Sequence, residues 1–208
     1  MKKILFIFLF LFLNLVGCDR SNQDSTDSKD YSTEQEKENT DTSLKIIFEG
    51  SHEAKINLIV YESLTCGHCA DFHKNVYPDL KKDFIDKGLA KIEFRNFPLD
   101  MAALNASKIA HCKNDGKSNI LHFLFYNQSK WAKGETIEKI NSNLKEIINK
   151  EDFKINFKKC LDNKEIENHI LEDRIDAVKK FEINATPTLI INNKKFDKPL
   201  NYKNLKKT

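Results

Sequence analysis

Residues 57–69 read Asn-Leu-Ile-Val-Tyr-Glu-Ser-Leu-Thr-Cys-Gly-His-Cys, an apolar run that leads into two closely spaced cysteines. Residues 57–62 are rich in apolar and β-branched side chains, as is typical of a buried parallel strand. Apolar residues then recur every three or four positions, which predicts a helix; they are Cys69, Phe72, Val76, Leu80 and Phe84. Two thiols spaced C-x-x-C at a strand-to-helix junction predict reversible dithiol/disulfide exchange.

The two thiols are expected to differ in reactivity. Cys66 falls near the first turn of the predicted helix, where unpaired N–H groups and the macrodipole stabilise a thiolate. Cys69 lies one turn further in, is expected to be less exposed, and suits the resolving role. Gly67 lets the backbone turn tightly, and a protonated His68 would add a favourable charge beside Cys66.

Other uses of a C-x-x-C sequence fit less well. A zinc site would need further ligands; His73 follows Cys69 by four residues, but no second C-x-x-C and no paired histidines follow. Covalent haem attachment requires histidine directly after the second cysteine, and Ala70 stands there. We therefore expect no bound metal and no cofactor.

The N-terminus predicts export. Lys2 and Lys3 precede an apolar run over residues 4–16, which is too short for a permanent transmembrane helix and fits a secretory signal. The following Leu-x-Gly-Cys resembles a bacterial lipobox, so residues 1–17 are expected to be removed and Cys18 lipidated. An uncleaved anchor and ordinary secretion are the alternatives, and both also export the chain.

Residues 19–43 carry eight acids, three bases and almost no apolar side chains. Such a composition cannot bury a core, so residues 18–43 are predicted to be a lipid anchor with a flexible tether. The remaining residues, 44–208, are mildly basic, within a whole-chain formal charge of +3. This excess is scattered over many lysines, which favours a solvated surface over nucleic-acid binding.

The other cysteines predict a second disulfide. If Cys18 is lipidated and Cys66 pairs with Cys69, Cys112 and Cys160 remain. An even remainder in an oxidising compartment favours a structural disulfide between them. Two separate buried thiols remain the alternative, because sequence does not give the distance between the Cα atoms.

The rest of the chain predicts an α/β domain. Strands are expected over residues 44–48, 56–61, 89–97 and 188–191, with a last short strand after Asn192 and Asn193. The cysteine-bearing helix is expected to continue to about Gly88 with a kink at Pro78. Residues 102–181 carry helical stripes and are predicted to be a helical insertion.

Two groups of residues within the insertion are ambiguous. The aromatic residues could form a substrate groove but more often belong to a core; they are Phe123, Phe125, Tyr126 and Trp131. The histidines are expected to be helix residues without a recognisable ligand partner; they are His111, His122 and His169.

At this point the chain resembles the DsbA-like thiol:disulfide oxidoreductases, members of the thioredoxin-fold superfamily with a helical insertion. The matching segments occur in the order of that family and extend over nearly all of residues 44–198. They are Glu62-Ser63-Leu64-Thr65-Cys66-Gly67-His68-Cys69, Phe97-Pro98-Leu99-Asp100, residues 123–131, and Ala185-Thr186-Pro187-Thr188.

The resemblance implies a role for each residue of this site. Cys66 would be the nucleophile and Cys69 the resolving thiol, with His68 between them. The Thr186–Pro187 peptide bond would be cis, and the loop that it shapes would lie against the active disulfide. The exposed backbone of Thr186 would pair with an extended substrate by β-augmentation, which tolerates many sequences.

Two departures from the family affect these expectations. Oxidases of the family more commonly have Pro-His between the cysteines, and the Gly-His found here also occurs in disulfide isomerases of the superfamily. Family members often carry a buried carboxylate six residues before the first cysteine, where this chain has Val60. Glu62 is on the same strand face and is expected either to assist proton transfer from Cys69 or to lie in solvent.

The resemblance implies an enzyme that forms disulfide bonds in exported, cysteine-containing proteins. It would act in the periplasm, tethered by the lipid on Cys18, and a membrane redox partner would reoxidise it. A disulfide reductase or isomerase is the first alternative, favoured by Gly67 and Thr186. A metal-binding lipoprotein that uses Cys66, Cys69 and His73 is the second.

Overall fold

A computed structural model of the protein describes residues 44–207. The strands are β1 (Ile47–Gly50), β2 (Ile56–Glu62), β3 (Ala90–Asn96), β4 (Thr188–Ile191) and β5 (Lys194–Lys195). They form one sheet in the order β1-β3-β2-β4-β5, in which β2 and β3 are parallel and the other pairs are antiparallel. The predicted strands are all present, although β1 begins at Ile47 and ends at Gly50 rather than spanning 44–48.

The helices lie mainly in two groups. Between β2 and β3 are α1 (Gly67–Asn75), α2 (Tyr77–Leu80) and a π-helical turn (Lys81–Ile85). Between β3 and β4 are α3 (Met101–His111), α4 (Asn119–Tyr126), α5 (Gln128–Trp131), α6 (Ile137–Lys150), α7 (Phe157–Asp162) and α8 (Lys164–Phe181). The last helix is α9 (Tyr202–Leu205). This arrangement confirms the predicted α/β domain with a helical insertion.

The cysteine-bearing helix is shorter than predicted. It ends at Asn75, and a new helix begins at Tyr77 with Pro78 in its first turn. Proline has no N–H and its ring clashes with the carbonyl four residues earlier, but it is well tolerated in the first turn of a helix. The predicted kink is therefore a break, and the continuation toward Gly88 is a separate helix followed by a π-helical turn.

The core packs the central strands of the sheet, β2 and β3, against the surrounding helices. Val60 of β2 and Ile92 of β3 are completely buried, and Phe72 of α1 packs in the same cluster. Phe125 and Trp131 are also completely buried, and the Trp131 indole donates a hydrogen bond to the carbonyl oxygen of Leu124 at 2.9 Å. These two aromatic residues therefore belong to the core, as the sequence favoured, whereas Tyr126 is 47% exposed.

A disulfide joins two helices of the insertion. Cys112 follows the C-terminus of α3 and Cys160 lies in α7, with 5.3 Å between their Cα atoms. The bonded residues are 48 positions apart in sequence. This is the pairing that the count of cysteines favoured.

The two edges of the sheet are protected in different ways. Beside β1, the N–H of Phe48 donates to the carbonyl oxygen of Gly116 at 3.2 Å, and the N–H of Lys45 donates to the Asn114 side chain at 2.6 Å. At the other edge, β5 consists of two exposed lysines. Within residues 44–207, no helix combines the length and the apolar character needed to cross a membrane.

Candidate active site

Cys66 caps the N-terminus of α1. The loop from Ser63 turns through a hydrogen bond from the Cys66 N–H to the Ser63 carbonyl at 3.0 Å, and the helix begins at Gly67. The Cys66 carbonyl then accepts from the N–H of Ala70 at 3.2 Å. Cys66 is half-buried, Cys69 is completely buried, and both are free thiols. The structure thus places the pair at the helix start that the sequence predicted.

Cys66 is strongly acidified. A hydrogen bond from the Cys69 thiol has the largest effect and, against the opposing effect of burial, lowers the pKa of Cys66 from 9.0 to about 5. The nearby Thr186 hydroxyl and the backbone N–H groups of Cys69 and His68 lower this pKa further. Unpaired N–H groups at the start of a helix favour an anion in this way. Cys66 is therefore a thiolate at neutral pH.

The Cys69 thiol is shifted in the opposite direction. Burial raises its pKa most, and the hydrogen bond to Cys66 and the negative charge of Glu62 raise it further. At neutral pH the reduced pair therefore combines a Cys66 thiolate with a protonated Cys69. Such a pair has one good nucleophile and leaving group, and one thiol that must lose its proton before it can attack.

The loop before β4 lies against Cys66. The Thr186–Pro187 peptide bond is cis, and the Cys66 Sγ atom is 3.4 Å from the carbonyl oxygen of Thr186. The Thr186 Oγ1 atom is buried and has no hydrogen-bond partner among the described residues. Thr186, which sequence analysis associated with Cys66, therefore contacts it in the folded protein.

A cavity of about 420 Å³ opens beside this contact. His68 is exposed and lines it, together with Thr186 and Pro187. Its other walls combine apolar and polar side chains from α1 and the C-terminal segment; they are Asp71, Phe72, Asn75, Val76 and Leu200. An extended chain placed there would lie against Thr186, whose carbonyl oxygen contacts the Cys66 sulfur.

The segment between β3 and α3 holds the cysteine loop through hydrogen bonds. Thr65 Oγ1 donates to Asp100 Oδ2 at 2.8 Å, while Asp100 Oδ1 caps α3 by accepting from the N–H of Ala103 at 2.7 Å. The N–H of Leu99 donates to Ser63 Oγ at 3.2 Å. These contacts attach the loop after β3 to the loop after β2, so the turn that carries Cys66 is held by hydrogen bonds.

Glu62 is buried rather than exposed to solvent. Only 4% of it is exposed, and its Oε2 atom is 2.8 Å from Nε2 of His73, which is itself completely buried. The alternative that Glu62 is a strand-end residue in solvent is therefore wrong. Sequence analysis also missed that His122 has partners: it contacts His73 and Glu49.

His73 does not form a metal-ligating group with the two thiols. Its two ring nitrogens contact Glu62 and His122, and its ring stacks on Phe125 with centroids 4.0 Å apart. In the part of the chain that the structure describes, no cluster of three or more His, Cys, Asp or Glu side chains is arranged to hold a metal ion.

The comparisons with known proteins agree with this geometry. Residues 42–208 match a family model described as thioredoxin. The chain belongs to the thioredoxin family. The structure of α-DsbA1 from Wolbachia pipientis superimposes with a TM-score of 0.70 at 30% sequence identity, covering 78% of this chain and 87% of that one. The predicted DsbA-like thioredoxin fold is confirmed.

Three further proteins similar to this chain have sequence identities of 24%, 27% and 26%. The structure of oxidised BdbD from Bacillus subtilis superimposes with a TM-score of 0.64 at 24% identity, covering 78% of this chain and 89% of that one, which supports the fold. Disulfide bond formation protein D of Bacillus subtilis is 27% identical over 169 residues, which are 76% of this chain and 73% of that protein. A Rickettsia conorii protein provisionally named a protein-disulfide oxidoreductase is 26% identical over 147 residues, 69% of this chain. The chain spans about half the length of that relative, 52%.

Proposed function

We propose that this DsbA-like chain is a thiol:disulfide oxidoreductase that forms disulfide bonds in exported proteins through Cys66 and Cys69. The observation that carries the proposal is the opposite shift of the two thiols. The pKa of Cys66 is lowered to about 5, while burial raises that of Cys69. A stable Cys66 thiolate favours the reduced pair, which makes the Cys66–Cys69 disulfide oxidising.

The catalytic cycle begins with the Cys66–Cys69 disulfide. A substrate thiolate attacks Cys66 Sγ, the bond to Cys69 breaks, and the Cys69 thiolate takes up a proton. A second substrate thiolate then attacks the substrate sulfur of the mixed disulfide, and Cys66 leaves as a thiolate. The substrate loses two electrons and two protons; the enzyme gains the two electrons and one proton, and the other proton goes to solvent.

Substrate binding is assigned to the loop at Thr186 and Pro187. The cis bond presents the Thr186 backbone beside Cys66, and a cavity of about 420 Å³ adjoins this loop. Pro187 lacks an N–H, so binding there relies on the backbone of Thr186. Main-chain recognition of this kind suits an enzyme with many unfolded substrates.

We also propose that the chain works outside the cytoplasm, in the periplasm. The signal-like residues 1–17, the lipidation of Cys18 and the tether over residues 18–43 lie outside the described residues and are part of this proposal. A lipid anchor would hold residues 44–208 close to a membrane redox partner, which would take up the electrons of the reduced pair. No cofactor is proposed.

The second candidate function is a disulfide reductase or isomerase. The specific observation in its favour is the Gly67-His68 dipeptide, which differs from the Pro-His that is commoner among the family's oxidases. A reductase would need a low redox potential and a membrane electron donor that keeps the pair reduced, and an isomerase would need the pair largely reduced. A metal-binding lipoprotein is less well supported, because His73 faces Glu62 and His122.

The redox equilibrium of the full chain with glutathione tests the proposal. The state of Cys66 and Cys69 would be followed by thiol trapping and mass spectrometry. A potential near −120 mV, on the order of that of strongly oxidising members of the superfamily, supports disulfide formation. A potential near about −270 mV would instead assign the chain to the reductases.

A further inference from the structure

Four buried or half-buried side chains form one hydrogen-bonded chain behind the active site. Glu62 Oε2 is 2.8 Å from His73 Nε2, His73 Nδ1 is 2.9 Å from His122 Nδ1, and His122 Nε2 is 2.7 Å from Glu49 Oε1. This series of hydrogen bonds begins at Glu62, whose negative charge acts on Cys69. It ends at Glu49, which is 17% exposed. It therefore connects the interior of the site with the surface.

We propose that Glu62, His73, His122 and Glu49 form a relay that moves the proton of the Cys69 thiol between the buried active site and solvent. The inference rests on the proposed exchange reaction, in which Cys69 must take up a proton when the disulfide opens and lose it when the disulfide forms. Cys69 is completely buried, so solvent does not reach its sulfur directly.

The geometry of the two histidines requires a shared proton. Two Nδ1 atoms 2.9 Å apart can bond only if one carries hydrogen and the other presents a lone pair. If both carboxylates are ionised, one imidazole holds both of its protons and the other holds one. If Glu62 takes a proton from His73, both rings become neutral. Glu62 can therefore exchange a proton while all three hydrogen bonds are kept.

The inner end of the relay is open. Glu62 Oε1 is buried and has no hydrogen-bond partner among the described residues. An orphaned buried carboxylate oxygen is costly, and one beside an active site calls for an explanation. Because Oε1 has no hydrogen-bond partner among the described residues, it can accept the proton of the Cys69 thiol.

The outer end is held as an acceptor. Burial raises the pKa of Glu49, but hydrogen bonds from His122, Ser118 and Tyr77 outweigh it and lower this pKa to about 2. Glu49 is therefore ionised throughout the pH range of the experiment below, and a proton that reaches it is released to solvent. Lys81 Nζ lies 3.5 Å from Glu49 Oε2 at the surface.

The experiment follows the step in which Cys69 must lose its proton. The full chain is prepared with glutathione disulfide-bonded to Cys66, and the release of glutathione is timed from pH 5.5 to 8.5. In this step Cys69 gives up its proton, its sulfur bonds to Cys66 Sγ, and glutathione leaves as a thiolate that takes a proton from water. The variants are His122→Gln and Glu49→Gln, which retain hydrogen-bonding groups but interrupt proton transfer.

We expect His122→Gln to release glutathione about tenfold more slowly at pH 6, equivalent to about 1.4 kcal/mol, and to approach the unsubstituted chain above pH 8. The control is His169→Gln, a histidine of α8 outside the relay, which should match the unsubstituted chain at every pH. Because all members lie on one path, His122→Gln combined with Glu49→Gln should be no slower than the slower single variant.

Several other titratable groups face the relay, and none of them is substituted in any variant. They are Cys69 on α1, Tyr77 on α2, Lys81 in the π-helical turn and Tyr126 on α4. Near-ultraviolet circular dichroism would establish that each variant is folded, and His73→Gln provides a further interruption at the buried member. A loss of rate that is equal at all pH values would overturn the relay, because it would indicate a structural role.

The outcomes separate the relay from the proposed function. If the unsubstituted chain releases no glutathione, Cys69 does not resolve mixed disulfides and the proposed function fails. If it releases glutathione and the His122 and Glu49 variants match the His169 control throughout, exchange stands and the relay is refuted.

Discussion

The side-chain amide of Gln128 donates a hydrogen bond to the carbonyl oxygen of Cys66 at 2.9 Å. The same nitrogen donates to the carbonyl oxygen of Leu64 at 2.8 Å. Gln128 begins α5, so a helix of the insertion holds the backbone of the loop that carries Cys66 although the two residues are 62 positions apart. The insertion is thus part of the active-site support.

Replacement of Gln128 should loosen this loop. In Gln128→Ala two carbonyl oxygens lose their donor, and we expect the free energy of unfolding to fall by about 1–2 kcal/mol. In Gln128→Glu an anionic acceptor faces both carbonyls and the Cys66 thiolate, so the pKa of Cys66 should also rise. Urea denaturation measures the first effect and the pH dependence of Cys66 alkylation the second. An unchanged alkylation profile in Gln128→Glu would show that this contact has no electrostatic influence on the thiolate.

The acidity of Cys66 should depend on the thiol of Cys69. In the reduced chain, Cys66 alkylation by iodoacetamide should rise with pH and reach half its maximum near pH 5, since the thiolate is the reactive form. In Cys69→Ala the largest stabilising hydrogen bond is lost, so the midpoint should move up toward 9.0.

Cys69→Ser is the matched variant, because a hydroxyl retains a donor at the same place. Its midpoint should lie between those of the unsubstituted chain and Cys69→Ala. Mass spectrometry of the Cys66 peptide gives the rates without interference from other thiols. Coincident midpoints in the two variants would contradict the assignment of the acidity to this hydrogen bond.

Asp100 should matter for stability through its cap on α3. Asp100→Ala removes the acceptor for the N–H of Ala103 and for the hydroxyl of Thr65. Loss of such a cap costs about 0.5–2 kcal/mol, which equilibrium unfolding in urea would measure. Asp100→Asn keeps an acceptor oxygen and should recover most of that loss; equal losses in the two variants would exclude capping as the cause.

The Cys112–Cys160 disulfide should stabilise the insertion without taking part in exchange. It closes a long loop between residues 48 positions apart, and replacing both cysteines with serine should lower the free energy of unfolding by about 2–4 kcal/mol. The comparison requires Cys66 and Cys69 to be in the same redox state in both proteins. The redox potential of the Cys66–Cys69 pair should not change, and a marked change would assign this disulfide a role in the reaction.

The strand-to-helix junction at Cys66 could be predicted because its signals are local. The apolar run of β2 and the three-to-four spacing after Cys69 are properties of adjacent residues. The Thr186–Pro187 loop could be placed only by resemblance to the family, since nothing in the intervening residues reports that it meets Cys66. Its contact depends on the pairing of β2 with β4.

The relay could not be predicted, because its members come from four different elements. His73 is 49 residues from His122, and His122 is 73 residues from Glu49. Each looks like an ordinary helix or strand residue in the sequence, and only the folded packing shows that they meet. The burial of Glu62 escaped prediction for the same reason: period-two spacing gives the face of a strand, while the depth of the residue depends on the helices that cover it.

The short, lysine-bearing edge of the sheet at β5 affects how the protein behaves at high concentration. An open sheet edge is a template on which another extended chain can grow, and unfolded polypeptides supply such chains in quantity. Here one edge offers two charged residues, and at the other edge the Phe48 N–H is already bonded to the Gly116 carbonyl. Neither edge of the sheet therefore offers a long, unpaired strand on which another extended chain could add.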